Sequence, residues 1–143
     1  MLERLRAEDI PLLRPIIEDD RHQYSPERIC AFLGNRGNLA FVAKLDGKVI
    51  GLIYGYKLTR MDHQPPQLFI YSVGIHSDYQ NRGCGTKLFR YVVDFARENG
   101  FSECFVLTNK SNGRACRVYE KAGGVAASDD AVEYDIVFQR EEA

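Results

Sequence analysis

The residues best suited to chemistry in this sequence form one continuous run, Tyr79-Gln80-Asn81-Arg82-Gly83-Cys84-Gly85-Thr86-Lys87. Two glycines two positions apart let the backbone turn sharply and approach a ligand without a Cβ in the way. The helix predicted to follow presents unpaired N–H groups and the positive end of its dipole, which together favour a pyrophosphate. Arg82 and Lys87 add positive charge beside that position. The run therefore predicts a site for a phosphorylated ligand.

Two other phosphate-binding patterns do not match this run. A Walker loop requires G-x-x-x-x-G-K-[ST], which the run does not contain. The dinucleotide-binding pattern G-x-G-x-x-G requires Gly or Ala where the chain has Leu88, and no ribose-binding acid follows at the expected distance. On G-x-G alone, a turn that merely starts a helix remains an equal alternative.

Hydrophobic periodicity and turn residues predict the elements that position this run. Asp46-Gly47 marks the clearest hairpin, because this pair supplies the left-handed conformation of a tight type I′ turn. The order of elements is typical of a mixed α/β sheet. Along the chain we predict strand 2–6, helix 9–20 with a kink at Pro15, a helix opened by Ser25-Pro26 and closed by Gly34, strands 39–45, 48–58 and 67–75, helix 86–99, strand 104–108, a short helix over 115–122 and a final strand 131–139.

Length and composition restrict the class of protein. With 143 residues and a net charge of −1, the chain is expected to form one domain over 1–143 and not to bind nucleic acid, which requires a basic excess. The start of the chain lacks the apolar segment of a secretion signal, and its longest apolar run falls short of a membrane span. We therefore expect a cytoplasmic protein. No C-x-x-C pair or i, i+4 histidine pair is present, so we predict no metal.

A second motif follows about thirty residues after the first, Asn112-Gly113-Arg114-Ala115-Cys116-Arg117-Val118-Tyr119-Glu120-Lys121-Ala122-Gly123. The first motif matches Q/R-x-x-G-x-G/A as Gln80 to Gly85, after the strand ending Val73-Gly74-Ile75-His76. With both motifs, the chain resembles the Gcn5-related N-acetyltransferases over essentially its whole length. The resemblance implies a mixed, mostly antiparallel sheet of about six to seven strands, splayed between the fourth and fifth strands and flanked by about four helices.

The resemblance also implies acetyl-CoA as co-substrate. The backbone of Val73, Gly74 and Ile75 is expected to pair with the pantetheine arm. Asn112 is expected to hydrogen-bond that arm, and Tyr119 is expected to reach the thioester sulfur. The remaining expected contacts, which hold the pyrophosphate or line the start of the second motif's helix, are Gln80, Asn81, Arg82, Gly83, Cys84, Gly85, Thr86 and Ala115.

The residue types fit the chemistry that the resemblance implies. Attack of an amine on a thioester builds negative charge on the carbonyl oxygen, which backbone N–H groups of a splayed strand stabilise. The phenol of Tyr119 is suited to protonate the departing thiolate. The acceptor amine must first lose a proton, because it is mostly protonated at neutral pH. An acyl-cysteine on Cys84 is the alternative mechanism, since a thiol near a helix N-terminus has a lowered pKa; we favour packing against the sheet for this side chain.

Within the family, the chain is similar to the compact aminoglycoside 3-N-acetyltransferases of the gentamicin-modifying type. The similarity rests on Phe69-Ile70-Tyr71, Val118 to Gly123 and Glu133-Tyr134-Asp135-Ile136. The chain departs from that type at Ser72, where those enzymes carry Asp, and at 109–114, where they carry an acidic loop. The candidate acceptor-binding residues are Asp19, Asp20, Asp62, Tyr71, Ser72, Asp129, Asp130, Glu133 and Asp135.

Two of these acids are also candidates for catalysis. In a strand, Glu133 and Asp135 point to the same face, where a carboxylate pair binds an ammonium group and accepts its proton. A solvated polar face on a terminal strand is an equal alternative. Residues 79–121 carry eight basic and four acidic side chains, whereas 122–143 carry one basic and six acidic. We therefore expect the basic part to hold the polyanionic co-substrate and the acidic part to face a cationic acceptor.

Three functions remain open on the sequence. The favoured one is acetyl transfer to a primary amine of a cationic small molecule, most of all an aminoglycoside. A protein N-terminal or lysine acetyltransferase of the same fold would instead need a groove for an extended peptide. A non-enzymatic acyl-CoA-binding module is the third, which the presence of Asn112 and Tyr119 disfavours. Dimers are common in the family, so a homodimer is an open expectation.

Overall fold

The computed structural model describes residues 1–19 and 23–139, and its centre is a sheet of five strands in the order β1-β2-β3-β4-β5. The first four strands pair antiparallel with their neighbours, whereas β4 and β5 run parallel. A parallel pair needs a crossover, which the helix between these two strands supplies. The mixed α/β sheet is confirmed. The strands are β1 (Leu2–Arg4), β2 (Asn38–Leu45), β3 (Lys48–Leu58), β4 (Gln67–Ile75) and β5 (Glu103–Val106).

Helices cover both faces of the sheet. One face, here called the α3 face, buries Phe41, Ile53 and Leu68 against Leu88 and Val92 of α3. The opposite α2 face buries a second cluster that includes side chains of α1 and α2. The α-helices of the described chain are α1 (Arg14–Ile17), α2 (Pro26–Leu33), α3 (Cys84–Glu98) and α4 (Gly113–Lys121), with 3₁₀ turns at Ala7–Leu13 and Ser77–Tyr79.

Local sequence signals decide most element boundaries. The predicted β2–β3 hairpin is confirmed, with Asp46 at φ 51° and Gly47 at φ 76°. The Ser25 hydroxyl caps α2 by accepting from the backbone N–H of Arg28 at 3.4 Å. The helix predicted over 9–20 is instead a 3₁₀ turn followed by α1. Pro15 has no N–H to donate to the carbonyl of Pro11, so a continuous α-helix cannot pass through this point.

Strands β4 and β5 separate part-way along the sheet, as predicted. Their ladder runs from Gln67 opposite Glu103 to Ile70 opposite Val106. Strand β4 continues to Ile75, paired on its other side with β3, whereas β5 ends at Val106. The sheet is therefore open between these two strands beyond Ile70.

The final strand predicted over 131–139 is not part of the sheet. Within the described residues, the sheet ends at β5 and therefore has five strands, fewer than the six to seven expected. Residues 131–139 lie outside the sheet without regular structure, and Phe138 is 92% exposed. Alternation of apolar and polar side chains is typical of a strand, but the segment forms a strand only if it pairs with the edge of a sheet. No helix of the described chain is long and apolar enough to span a bilayer.

Candidate functional site

A cleft of about 640 Å³ opens where β4 ends and where α3 and α4 begin. The end of β4 forms one wall, the loop leading into α3 forms another, and α4 closes the third side. The cleft collects eleven of the predicted acetyl-CoA contacts. These are Val73, Gly74, Ile75, Gln80, Asn81, Gly83, Gly85, Thr86, Asn112, Ala115 and Tyr119.

The first turn of α3 borders this cleft with its backbone. Gly83 precedes the helix at φ 83°, and Asn81 also has positive φ, at 63°. No side chain of the described residues caps this end of α3, and no acid lies in its first turn. The unpaired N–H groups and the helix dipole thus remain available to an anion. The geometry is that of a phosphate-binding turn.

Two of the predicted contacts, Arg82 and Cys84, do not line the cleft. The Arg82 guanidinium lies over the ring of Tyr79, 5.7 Å from its centroid. The Cys84 side chain packs partly buried against the core on the α3 face. This placement agrees with a packing role for Cys84, whose backbone still belongs to the first turn of α3.

The end of β4 presents one strand edge to the opening in the sheet. Val73 pairs with Ile53 of β3 and Gly74 pairs with Leu52, so their other edge points towards the side where β5 has already ended. An extended ligand can add to such an edge through backbone hydrogen bonds, in the manner of a further strand. The cleft therefore combines a strand edge with an anion site.

A pair of side chains joins the walls of the cleft. Gln80 donates from Nε2 to the carbonyl of Ile75 at 3.1 Å and accepts from Nη1 of Arg114 at 2.7 Å. The loop before α3 is thereby connected to the end of β4 and to the first turn of α4. Sequence reasoning did not identify Arg114 as a site residue, although its position in the second motif was a signal.

Helix α4 contributes Asn112 and Tyr119. The Oδ1 atom of Asn112 accepts from the N–H of Ala115 at 3.1 Å and caps the helix, which sequence reasoning missed despite the preference of Asn for N-caps. The half-buried Tyr119 ring lies 4.7 Å from that of Phe89. Burial, and to a lesser extent Cys116, raises the pKa of Tyr119, so its phenol is protonated at neutral pH. A protonated phenol at the cleft is a proton donor.

The predicted acidic residues that the structure describes do not form one cluster. Asp19 accepts from the N–H of Ser77 at 3.1 Å. Asp62 pairs with Arg60 at 2.8 Å, and that hydrogen bond lowers the pKa of Asp62 to about 2. Asp20 lies outside the described residues.

The acids after α4 lie away from the cleft. Asp129 pairs with Lys110 at 2.9 Å, and the N–H of Asp130 donates to Ser128 Oγ at 2.9 Å. Glu133 and Asp135 are exposed, and the pKa of Glu133 is raised because its protonated carboxyl can donate a hydrogen bond to the Asp135 carboxylate, whose charge acts in the same direction. None of these acids lines the cleft described above.

An aromatic strip, rather than a set of acids, lies on the α2 face beside the opening in the sheet. Tyr71 is 58% exposed at its centre, with the rings of Tyr54 and Tyr56 each 5.6 Å away. Phe69 lies 5.7 Å from Tyr71 and stacks on Phe105 at 4.8 Å. The strip, defined as these five residues, is extended towards α2 by Tyr24 and Phe32.

Sequence reasoning identified only Tyr71 and its neighbour Ser72, whose Oγ lies 3.5 Å from the hydroxyl of Tyr24. The signal it missed was the spacing Tyr54-x-Tyr56 and Phe69-x-Tyr71, which places aromatic rings on one face of two paired strands. Burial raises the pKa of Tyr54 to about 12. The Tyr54 phenol is therefore neutral at physiological pH.

Comparison with known proteins agrees with the two motifs and the cleft. The model of the acetyltransferase (GNAT) family matches residues 3–124. The chain belongs to this family. Among curated GNAT relatives, it is 34% identical over 83 residues to a probable N-acetyltransferase camello of Xenopus tropicalis, covering 58% of this chain and 36% of that protein. The chain thus spans well under two thirds of the length of that relative.

Solved structures share the GNAT fold along nearly the whole chain. An aminoglycoside acetyltransferase, meta-AAC0020, from an uncultured soil metagenomic sample superposes with a TM-score of 0.81 and 25% identity, covering 97% of this chain and 96% of that one. A ribosomal-protein-alanine N-acetyltransferase from Brucella melitensis biovar Abortus 2308 superposes with a TM-score of 0.76 and 20% identity, over 96% and 98% of the two chains. At that identity, the second likeness concerns the fold alone.

Proposed function

We propose that the protein binds acetyl-CoA in the cleft and transfers the acetyl group to a primary amine. The observation that carries this proposal is the meeting of three features in one cleft, namely an open strand edge at Val73 and Gly74, the uncapped first turn of α3 and the protonated phenol of Tyr119. A turn that only starts a helix would need neither the open strand edge nor the phenol of Tyr119. Membership of the GNAT family supports the same reaction.

The parts of acetyl-CoA match different parts of the cleft. The pyrophosphate is suited to the N–H groups of the α3 first turn, beside Lys87. The pantetheine amides are suited to the edge of Val73 and Gly74, where a ligand in extended conformation gains backbone hydrogen bonds. The amide of Asn112 lies on the opposite wall. We infer that the thioester then lies towards the opening between β4 and β5, close to Tyr119.

The chemical step is attack of the neutral amine on the thioester carbonyl within a ternary complex. A C–N bond forms, the carbonyl oxygen gains negative charge, and backbone N–H groups at the opening stabilise that charge. The C–S bond then breaks, and the thiolate of coenzyme A takes a proton from Tyr119. The attacking nitrogen, positively charged once the C–N bond has formed, loses its extra proton to water or to a carboxylate as the amide forms, and solvent restores the Tyr119 proton.

For the acceptor, we favour a cationic small molecule and specifically an aminoglycoside acetylated at its 3-amino group. Support comes from the likeness to the aminoglycoside acetyltransferase meta-AAC0020 at 25% identity over 97% of this chain. The aromatic strip supports a cation as well, because ring faces attract ammonium groups and pack against sugar rings.

A peptide acceptor is the second candidate. The aromatic strip is open at Tyr71, and none of the described candidate acids lines the cleft beside it, which suits an extended chain better than a compact polycation. A protein N-terminal or lysine substrate is therefore the alternative acceptor for the same reaction.

Release of coenzyme A thiol from acetyl-CoA, measured with different amines, tests these alternatives. The amines are gentamicin, spermidine and peptides with N-terminal alanine or internal lysine. Turnover highest with gentamicin, with mass spectrometry locating the acetyl group on the 3-amino nitrogen, is the expected result. Turnover of peptides without turnover of gentamicin contradicts the aminoglycoside proposal. Acetyl-CoA binding by calorimetry without turnover of any amine identifies an acyl-CoA-binding module instead.

A further inference from the structure

The cleft between β4, α3 and α4 is lined by positive charges that no acid balances. Its lining includes Arg114, Arg117 and Lys121 of α4, and no aspartate or glutamate among the described residues reaches it. The single acid of α4, Glu120, lines a separate cavity beside β5. Helix α4 therefore presents its cations to one cavity and its acid to another. This distribution of charge is typical of a wall that binds an anion.

Two of these three cations have no partner within the part of the chain that the structure describes. Arg114 donates to Gln80, whereas neither the Arg117 nor the Lys121 side chain takes part in a hydrogen bond or ion pair there. The two are four positions apart and therefore share one face of α4. Like charges at this spacing destabilise a helix, and a bound anion removes their repulsion.

A hydrogen bond between the two helices fixes the outer end of this wall. Nη2 of Arg90 in α3 donates to the carbonyl oxygen of Lys121 at 2.8 Å, although the two residues are 31 positions apart in the chain. Arg90 lies one turn beyond Thr86, which lines the cleft. The contact holds the last turn of α4 against α3 and brings a third positive charge beside Lys121.

The co-substrate of the proposed reaction carries negative charge in two places. The pyrophosphate on the 5′ side of its ribose is suited to the first turn of α3. A phosphomonoester on the 3′ oxygen of the same ribose carries a charge of about −1.5 to −2 at pH 7 and three strong acceptor oxygens. The two groups are one sugar ring apart. The first turn of α3 accounts for the pyrophosphate and leaves the phosphomonoester without a partner.

We propose that Arg117 and Lys121 form a second anion site that binds the 3′-phosphate of acetyl-CoA, with Arg90 as a positioning residue. The inference rests on the proposed function, because it names the part of the co-substrate that this wall binds. A guanidinium group binds two phosphate oxygens side by side, and an ammonium group adds a point charge. The consequence is selectivity for acetyl-CoA over thioesters of dephospho-coenzyme A or of pantetheine.

The order of contacts between α3 and α4 favours the phosphomonoester over the pyrophosphate as the ligand of these cations. Gln80 and Arg114 meet where both helices begin, whereas Arg90 and Lys121 meet further along both helices. Arg90 is six residues after the first residue of α3, which corresponds to about 9 Å along its axis. The cations therefore follow the groove between the helices away from the first turn of α3. A group that they bind lies beyond the pyrophosphate.

Calorimetric titration of the full chain with coenzyme A and with 3′-dephospho-coenzyme A tests the inference independently of activity. The two probes differ only in the phosphomonoester, so the ratio of their dissociation constants isolates its contribution to binding. For the wild type we expect coenzyme A to bind about 10-fold to 100-fold more tightly, as for hydrogen bonds between charged groups. Equal dissociation constants for the two probes overturn the inference.

Arg117→Gln and Lys121→Gln each remove one cation and keep a residue that favours helix. Each is expected to lower the ratio about threefold to tenfold, and the double variant is expected to bring it close to one, with the dissociation constant of dephospho-coenzyme A unchanged. Equal weakening of both probes would assign the cations to the pyrophosphate and overturn the inference. Lys57→Gln is the matched control, because Lys57 pairs with Leu68 at the other end of β4.

Arg90→Gln tests the positioning role with the same ratio. Loss of the contact to Lys121 is expected to lower the ratio about twofold to fivefold, as for an exposed charge. A merely structural role of Arg90 would lower stability in urea and leave the ratio unchanged. The failure of this inference is distinct from that of the proposed function. Equal binding of both probes by the wild type overturns the second anion site alone, whereas binding of neither probe overturns the proposed function as well.

Discussion

Arg114 in the first turn of α4 donates a hydrogen bond from Nη1 to Oε1 of Gln80 at 2.7 Å, across the mouth of the cleft. The two residues are 34 positions apart in the chain, and Gln80 also holds the carbonyl of Ile75 at 3.1 Å. Three walls of the cleft proposed to bind acetyl-CoA are therefore connected through one side chain. The connection fixes the spacing between the phosphate-binding turn and the helix that carries Tyr119.

Gln80→Ala and Arg114→Ala are each expected to weaken acetyl-CoA binding about fivefold to tenfold, close to the worth of one net hydrogen bond of about 1 kcal/mol. In the double variant the losses should not add, because each substitution removes the same contact. Calorimetric dissociation constants for the four proteins measure the coupling. Fully additive losses would show that the contact does not shape the cleft. Arg97→Ala, at an exposed pair on α3, is the control.

Gly83→Ala is expected to reduce acetyl-CoA affinity through the backbone. At φ 83° an added Cβ meets no atom within 4 Å, so the cost is conformational, about 1–2 kcal/mol, and the turn is expected to shift to relieve it. Gly47→Ala is the matched control, since Gly47 has φ 76°, equally open space and a place in a distant hairpin. Both variants should lose similar stability in urea, but only Gly83→Ala should raise the dissociation constant. Equal affinities would exclude a role of this turn in binding.

Much of the fold follows from local signals in the sequence. Asp46-Gly47 defines a hairpin by its own conformational preference. The spacing of Leu88 and Val92 gives α3 one apolar face, which is the face that packs on the sheet. The anion site at Gly83 is likewise local. These features need no knowledge of distant parts of the chain.

Other features depend on contacts that the sequence does not encode locally. The aromatic strip requires a bulge between Tyr54 and Gly55 that brings β3 and β4 into register. The Gln80–Arg114 contact depends on how α4 returns to the sheet. The strand predicted over 131–139 illustrates the limit most clearly, because alternation predicts a strand without stating which edge will pair with it.

Tyr71→Ala is expected to raise the KM for a cationic acceptor, while leaving the KM for acetyl-CoA little changed. The exposed ring lies at the centre of the aromatic strip, and a cation on a ring face contributes about 0.5–2 kcal/mol, equivalent to a rise in KM of about 2-fold to 30-fold. Tyr71→Phe keeps the ring and should restore most of the affinity. If phenylalanine is as damaging as alanine, the hydroxyl rather than the ring face binds the acceptor. Initial-rate kinetics with both substrates varied provide the measurement.

Asp9→Asn is expected to destabilise the fold by about 2 kcal/mol at neutral pH, because it removes a charged hydrogen-bond acceptor that is itself buried, while Lys44 keeps its pair with Glu3. Asp9 is 3% exposed and accepts from Lys44 Nζ at 2.9 Å. Burial opposes its ionisation, but the hydrogen bonds from Lys44 and from the N–H of Arg6 outweigh this and lower the pKa of Asp9. A lowered pKa means stability present above about pH 4 and lost as the pH falls further.

Urea unfolding at several pH values checks the Asp9 prediction. The difference between wild type and Asp9→Asn should be full at pH 7 and should shrink below about pH 4, where the wild-type carboxyl becomes protonated. Asp94→Asn, which removes an exposed pair with Arg97, is the control and should cost at most about 1 kcal/mol. A difference that is constant down to pH 2 would mean that the charge of Asp9 is not what stabilises the fold.

Tyr119→Phe is expected to lower kcat on the order of 100-fold, the lower end of general acid catalysis, because a thiolate is already a moderate leaving group. The KM for acetyl-CoA should change little, since the ring remains against Phe89.

Burial raises the pKa of Tyr119 above its usual value near 10, so wild-type kcat should show no decline from this group below pH 10. It should instead rise between pH 7 and 9 as the acceptor amine loses its proton. Tyr91→Phe, which alters a tyrosine of α3 packed on Phe41 away from the cleft, is the control. Unchanged kcat in Tyr119→Phe would assign the proton to water rather than to this phenol.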